Sequence, residues 1–189
     1  MYQEALSRLE EGLGIVRRIH PERNANEGRL LGNIGNVYRA QGKHEEALEM
    51  YRKAQRIFRK TLGPDCKEVG YMIAETASVL YGQGKFAEAL EKYNQVLEIQ
   101  VKALGHDHVD VAGTYINMGE VHRVLGDYGN ALECYQKAQE IWVKHLGHDH
   151  VDVAATYNNM GIVHKALGDY AKALECHQKA LEILLKALG

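Results

Sequence analysis

The chain has 189 residues, 46% hydrophobic and 25% charged, with 19 glycines and only 2 prolines, a balance that suits an ordered, helix-rich protein and excludes a disordered or low-complexity one. Its formal net charge of −2 arises from 23 basic and 25 acidic residues interspersed along the sequence, with no basic block suited to nucleic-acid phosphates. No apolar run approaches a membrane span and the start, Met1-Tyr2-Gln3-Glu4, lacks a signal peptide's basic end and apolar centre, so a cytoplasmic location is expected.

In chain order, residues 1–21 read as a single helix, with Ala5-Leu6 in the register of the later repeats and Gly12-Leu13-Gly14 a weakened helical stretch and not a phosphate loop. From residue 22 the sequence is periodic. The nine residues 104–112, LGHDHVDVA, recur unchanged at 146–154, which is 42 positions later, and a weaker form, LGPDCKEVG, lies 42 positions earlier at 62–70. The same step relates Gly42, Gly84, Gly126 and Gly168, and carries Ala47-Leu48 to Ala89-Leu90, Ala131-Leu132 and Ala173-Leu174. The spacing predicts a half-repeat (1–21) and four helical hairpins over 22–63, 64–105, 106–147 and 148–189.

Within the last unit Tyr157, Met160, Gly161 and His164 form the stripe of a first helix. Tyr170, Ala173, Leu174, His177, Ala180, Leu181, Leu184 and Leu188 continue the helical spacing along a longer second one. Small residues stand where the two must cross closely: Gly35, Ala77, Gly119 and Gly161 on first helices, Ala47, Ala89, Ala131 and Ala173 on second ones. Asp107 with Asp110, and Asp149 with Asp152, have the spacing of a capping box with aspartate in place of glutamate. Cys66, Cys134 and Cys176 are odd in number and lack metal-ligand spacing, so reduced thiols are expected.

With small residues at the eighth and twentieth positions, an aromatic or histidine at the eleventh and a glycine at the turn, the unit resembles the tetratricopeptide repeat, lengthened to 42 residues. Thr156-Tyr-Asn-Asn-Met-Gly, Gly168-Asp-Tyr, Ala180-Leu-Glu-Ile and the loop LGHDHVDVA are similar to repeats of kinesin light chains. The resemblance implies an all-α, right-handed superhelical solenoid of antiparallel helix pairs and a protein-binding, adaptor-like role. It also implies a concave groove lined by positions two, five, nine and twelve of each first helix. Position twelve gives Arg39, Tyr81, Arg123 and Lys165; nearby stand Arg29, Asn36 and Asn158, with Asn33, Asn117 and Asn159 at the groove edge. Asparagine amides can hold a peptide main chain and arginine can grip a carboxylate, so an extended acidic segment of a partner protein is the expected ligand.

His106/His108 and His148/His150 are the one constellation that hints at metal or acid–base chemistry, but each loop supplies two ligands at most. His122 and His164 take the repeat's aromatic position and read as core histidines with a hydrogen-bond partner. No nucleophile elbow, phosphate loop, zinc-protease or dinucleotide motif is present, so no enzyme activity, cofactor or metal is expected, and no nucleic-acid or membrane partner. Two alternatives to peptide capture remain open: self-association through exposed repeat ends, because the last helix with Leu174, Leu181, Leu184, Leu185 and Leu188 lacks a polar capping face, and a regulatory segment of a larger protein.

Overall fold

The structure, a computed structural model, describes residues 2–20, 22 and 24–188, the last by its backbone alone. The side chain of Leu188, expected on the final stripe, and Gly189 therefore lie outside the described residues. Among these residues the chain forms nine helices in succession: α1 (Tyr2–Ile19), α2 (Ala25–Ala40), α3 (His44–Thr61), α4 (Lys67–Gly82), α5 (Phe86–Leu104), α6 (Val109–Val124), α7 (Tyr128–Leu146), α8 (Val151–Ala166) and α9 (Tyr170–Leu188). It is an all-α helical repeat array in which 16-residue helices alternate with longer ones. Gly12 and Gly14 lie inside α1.

Each 16-residue helix closes in the same way. Gly42 has φ 73° and its successor's amide, Lys43 N, donates to Tyr38 O at 2.9 Å, while Gly42 N donates to Arg39 O. This left-handed closure satisfies the terminal carbonyls and needs glycine at the positive φ. Gly84, Gly126 and Gly168 repeat it, with φ between 73° and 79°. The reversal lays α3 against α2, α7 against α6 and α9 against α8.

How closely two helices of a hairpin approach is set by a ring and a missing Cβ. A Cβ at Gly35 would lie 2.6 Å from Tyr51 Cε1, one at Gly119 would lie 2.5 Å from Tyr135 Cε1, and one at Gly161 would lie 2.7 Å from His177 Cε1. Tyr51 and Tyr135 are wholly buried, so any larger residue at these glycines must displace a ring in a packed interior.

By their packing the residues divide into two compact units, Met1–Ala103 and Leu104–Gly189. In the first, Leu6 and Leu13 of α1, Leu31 and Ile34 of α2, Tyr51, Ile57 and Phe58 of α3 and Val69, Met72 and Ile73 of α4 share one core. In the second, Ala131, Tyr135, Met160 and Val163 form one cluster, and Val153, Ala154, Ala180 and Ile183 another, with Trp142, Val143 and Tyr157 packed on it. Each large apolar side chain fully buried here contributes about 1.5–3 kcal/mol, which makes these stripes the main source of hairpin stability. Cys134 is buried, and burial pushes its thiol up to about 11; Cys176 is half-buried and raised for the same reason.

The interhelical loops correct the expected capping box. α6 and α8 start one residue later than a cap at Asp107 or Asp149 requires, and the capping groups are His108 and His150. Their Nδ1 atoms accept from Asp110 N at 3.1 Å and Asp152 N at 3.2 Å, an imidazole nitrogen replacing the carboxylate of the usual motif. The aspartates are employed otherwise. Asp65, Asp107 and Asp149 pair with Lys102, Lys144 and Lys186, each 37 residues on, tying the loop to the end of the following long helix. The bond from Lys144 holds the Asp107 carboxyl below the ordinary range. His122 and His164 are half-buried and not wholly in the core, and His122 Nδ1 lies 3.2 Å from Asp127 Oδ2.

Candidate peptide-binding face

The expected site residues fall on the 16-residue helices. In the first unit α2 presents Arg29, Asn33, Asn36 and Arg39, and α4 presents Tyr71, Glu75 and Tyr81. A polar strip links them. Tyr51 reaches from α3 over Gly35 so that its hydroxyl donates to Asn36 Oδ1 at 2.7 Å and lies 3.5 Å from Glu75 Oε2. Arg39 Nε is 3.3 Å from the same Glu75 carboxylate. Burial, then the Glu75 charge, raises the Tyr51 hydroxyl far above its ordinary value, and Tyr93 is pushed up to about 12 by burial and then by Glu75. Both hydroxyls therefore stay protonated at physiological pH. Tyr71, half of it exposed, stands beside Glu75 and Asn36 and is raised by burial and then by Glu75.

The remaining first-unit residues are not drawn into that strip. Arg29 pairs with Glu68 at 3.6 Å and donates to Asn26 Oδ1 at 3.2 Å. Tyr81 sets its ring edge-on to Phe86, centroids 5.5 Å apart. Asn33 is exposed.

In the second unit the same plan recurs with different chemistry. Tyr135 donates to Glu120 Oε1 at 2.7 Å, and Arg123 binds the other oxygen at 2.7 Å. Burial raises the Glu120 carboxyl, but the bonds from Arg123 and Tyr135 outweigh it and leave the group below its ordinary value. On α8, Asn158 Oδ1 lies 3.0 Å from His177 Nδ1. Asn117 and Lys165 are exposed and Asn159 is half-buried. The basic column is thus charge-compensated at Arg39 and Arg123, whereas Lys165 has no ion pair among the described residues.

Two features of this face escape a search for polar residues on first helices alone. The hydroxyls of Tyr51 and Tyr135 belong to second helices and reach the face only because the facing residue is glycine. Their signal is a column: Tyr51, Tyr93, Tyr135 and His177 stand 42 residues apart, opposite Gly35, Ala77, Gly119 and Gly161.

Alternating antiparallel helices, closed by a recurring left-handed glycine and packed through a small-residue crossing, define a helical repeat protein of the kind that presents an extended surface to a partner. The chain belongs to the tetratricopeptide repeat family, whose model matches residues 1–65, 72–123 and 110–186. A structure described as BtubC (BKLC) from P. vanneervenii is similar at 24% identity and TM-score 0.89, covering 100% of this chain and 75% of that one. The nearly identical TPR-like repeats of a putative kinesin light chain from Podosopora anserina match at 23% identity and TM-score 0.80, over 98% of this chain and 88% of that one. These likenesses show the fold. Among curated proteins, a clustered mitochondria protein homolog of Candida albicans is 36% identical over 64 residues, and the matched part is 34% of this chain and 5% of that relative's length. No helix among the described residues is long and apolar enough to cross a membrane, and among those residues no three His, Cys, Asp or Glu side chains are grouped to hold a metal ion.

Proposed function

We propose that the chain is a scaffold that holds an extended, acidic segment of a partner protein on its 16-residue helices. The family supports the coarse reading, since tetratricopeptide repeats are generally protein-interaction scaffolds. The finer reading rests on one observation, the ordered polar strip Asn36–Tyr51–Glu75–Arg39, with its counterpart Glu120–Tyr135–Arg123. A row of donors and acceptors fixed by buried tyrosines is preorganised for a main chain, and its ordering entropy is already lost before binding. Exposed Asn33 and Asn117 add amides that both donate and accept. Carboxylates of the ligand meet Lys165 directly, but must compete with Glu75 and Glu120 for Arg39 and Arg123.

Fluorescence anisotropy with labelled extended acidic peptides tests this. Binding should strengthen in Glu75→Gln and Glu120→Gln, weaken in Lys165→Glu and fall with added salt. Affinity indifferent to all three variants sinks the reading.

A second reading, self-association, is favoured by α9. Leu174, Leu181 and Leu185 are 59%, 57% and 61% exposed, whereas Leu132 and Val143, one period before Leu174 and Leu185, are half-buried against α8. A second copy covering this stripe would make the light-scattering mass grow with concentration, and Leu181→Lys with Leu185→Lys should abolish the growth. A constant monomer mass removes it.

A further inference from the structure

The first unit carries a second candidate surface on the side of its long helices. Between α1 and α3, with α2 as floor, lies a cleft of about 380 Å³. Its base is apolar, formed by Leu13, Leu31, Ile34 and Ile57, all buried; its charged lining is Arg17, Lys53 and Arg56 with Glu10 and Glu27, of which Arg17 is paired with Glu27 and Lys53 with Glu49.

Three departures from the chain's own repeat lie at this cleft or on the face of α3 beside it. First, α3 carries Arg52, Lys53, Arg56, Arg59 and Lys60 on one solvent face, with no acidic residue between Met50 and Pro64. Where α3 has Arg56, the other three hairpins have Glu98, Glu140 and Glu182; where it has Arg52, they have Asn94, Gln136 and Gln178. Secondly, Glu27 occupies the position of Val69, Val111 and Val153, which are 0–1% exposed, and is itself only 7% exposed. Its carboxylate accepts from Arg17 Nε at 2.9 Å and lies 2.8 Å from an Arg17 terminal nitrogen. A buried carboxylate in an apolar column is costly unless paired, and here the pairing fixes a guanidinium at the cleft. Thirdly, Arg52, Arg56, Arg59 and Lys60 have no ion pair among the described residues, in contrast to the compensated Arg39 and Arg123.

We infer that this cleft docks an acidic, amphipathic segment of a partner protein, with an aliphatic or aromatic anchor over Leu13, Leu31 and Ile57 and carboxylates on Arg56 and the unpaired basic face of α3 beside it, Lys53 and Arg17 being held by Glu49 and Glu27. The occupant follows from charge complementarity. The apolar base excludes a purely polyanionic ligand as the best match, because phosphates gain nothing from it, and the uncompensated Arg56, with Arg52, Arg59 and Lys60 beside it on α3, excludes a neutral apolar one. This surface is independent of the 16-residue-helix face, and each can fail without the other.

The probe is a labelled helical peptide of interspersed glutamate and leucine, titrated into the whole chain by anisotropy. Arg56→Glu and Arg52→Gln install residues that the other hairpins carry at those places, so folding is retained and circular dichroism verifies it. Binding should weaken by about tenfold or more in Arg56→Glu, the scale of one lost interfacial charge pair. It should weaken likewise when the peptide's leucines become serine, and stay unchanged in Lys165→Glu. Binding that ignores Arg56→Glu, or that disappears with Lys165→Glu instead, overturns the proposal. So does equal affinity for polyphosphate or anionic vesicles with no dependence on the peptide's leucines, which would make α3 a general polyanion surface.

Discussion

The seam between α1 and α2 and the seam between α7 and α8 occupy the same place in the repeat, yet at one position the first carries an ion pair where the second is apolar. In the second unit Val143 packs on the cluster containing Val153; in the first, the corresponding residues are Arg17 and Glu27, joined at 2.9 Å. The backbone plan is unchanged. What differs is that an apolar contact needs only area, whereas an ion pair within the seam needs both partners, and therefore specifies more than it stabilises.

That difference can be broken from either side. The largest effect is expected from Val153→Glu, which buries a carboxylate without its arginine and should cost about 3–5 kcal/mol in urea unfolding followed by circular dichroism. Adding Val143→Arg should recover part of the loss. In the opposite direction, Arg17→Val with Glu27→Val should leave stability unchanged or raise it by about 1–2 kcal/mol, because an apolar pair avoids the desolvation of two charges. A loss of similar size in the double variant would mean that the ion pair carries net stability.

Tyr135→Phe comes next, at about 1–2 kcal/mol, since it removes a donor from a partly buried carboxylate. It also has a pH signature. Glu120 sits below its ordinary value of 4.5, so the stability it supplies is complete above that value and is lost as pH falls through the lowered one. Without the Tyr135 hydroxyl the acid limb of the stability profile should move towards higher pH. The smallest effect belongs to Lys144→Ala, which releases the exposed Asp107 and should leave the urea midpoint almost where it was, because solvent screens the pair.

The hairpins are legible in the sequence because a fixed period forces every glycine, small residue and apolar stripe into one register. Gly35, Gly119 and Gly161 can be placed at close crossings from the period alone, though which ring fills the space cannot. The caps are not legible. A carboxylate at the right spacing looks sufficient, but the helix starts at the residue after the histidine, and an imidazole acceptor serves as well. The compensation of Arg39 by Glu75 spans two helices 36 residues apart, beyond any local pattern. Glu27 is visible as the odd residue in a column of valines, but its partner Arg17 is not.

The thiols give the molecule a clock of its own. Cys134 is buried and its thiol is pushed up to about 11, so at neutral pH it is both shielded and protonated, and a thiol reagent reacts with it in proportion to how often α7 exposes it. Half-buried Cys176, one period later, meets the same reagent sooner. The lag of Cys134 behind Cys176, and behind the likewise half-buried Cys66, reads how rarely α7 lifts from its neighbours, without any probe having been introduced.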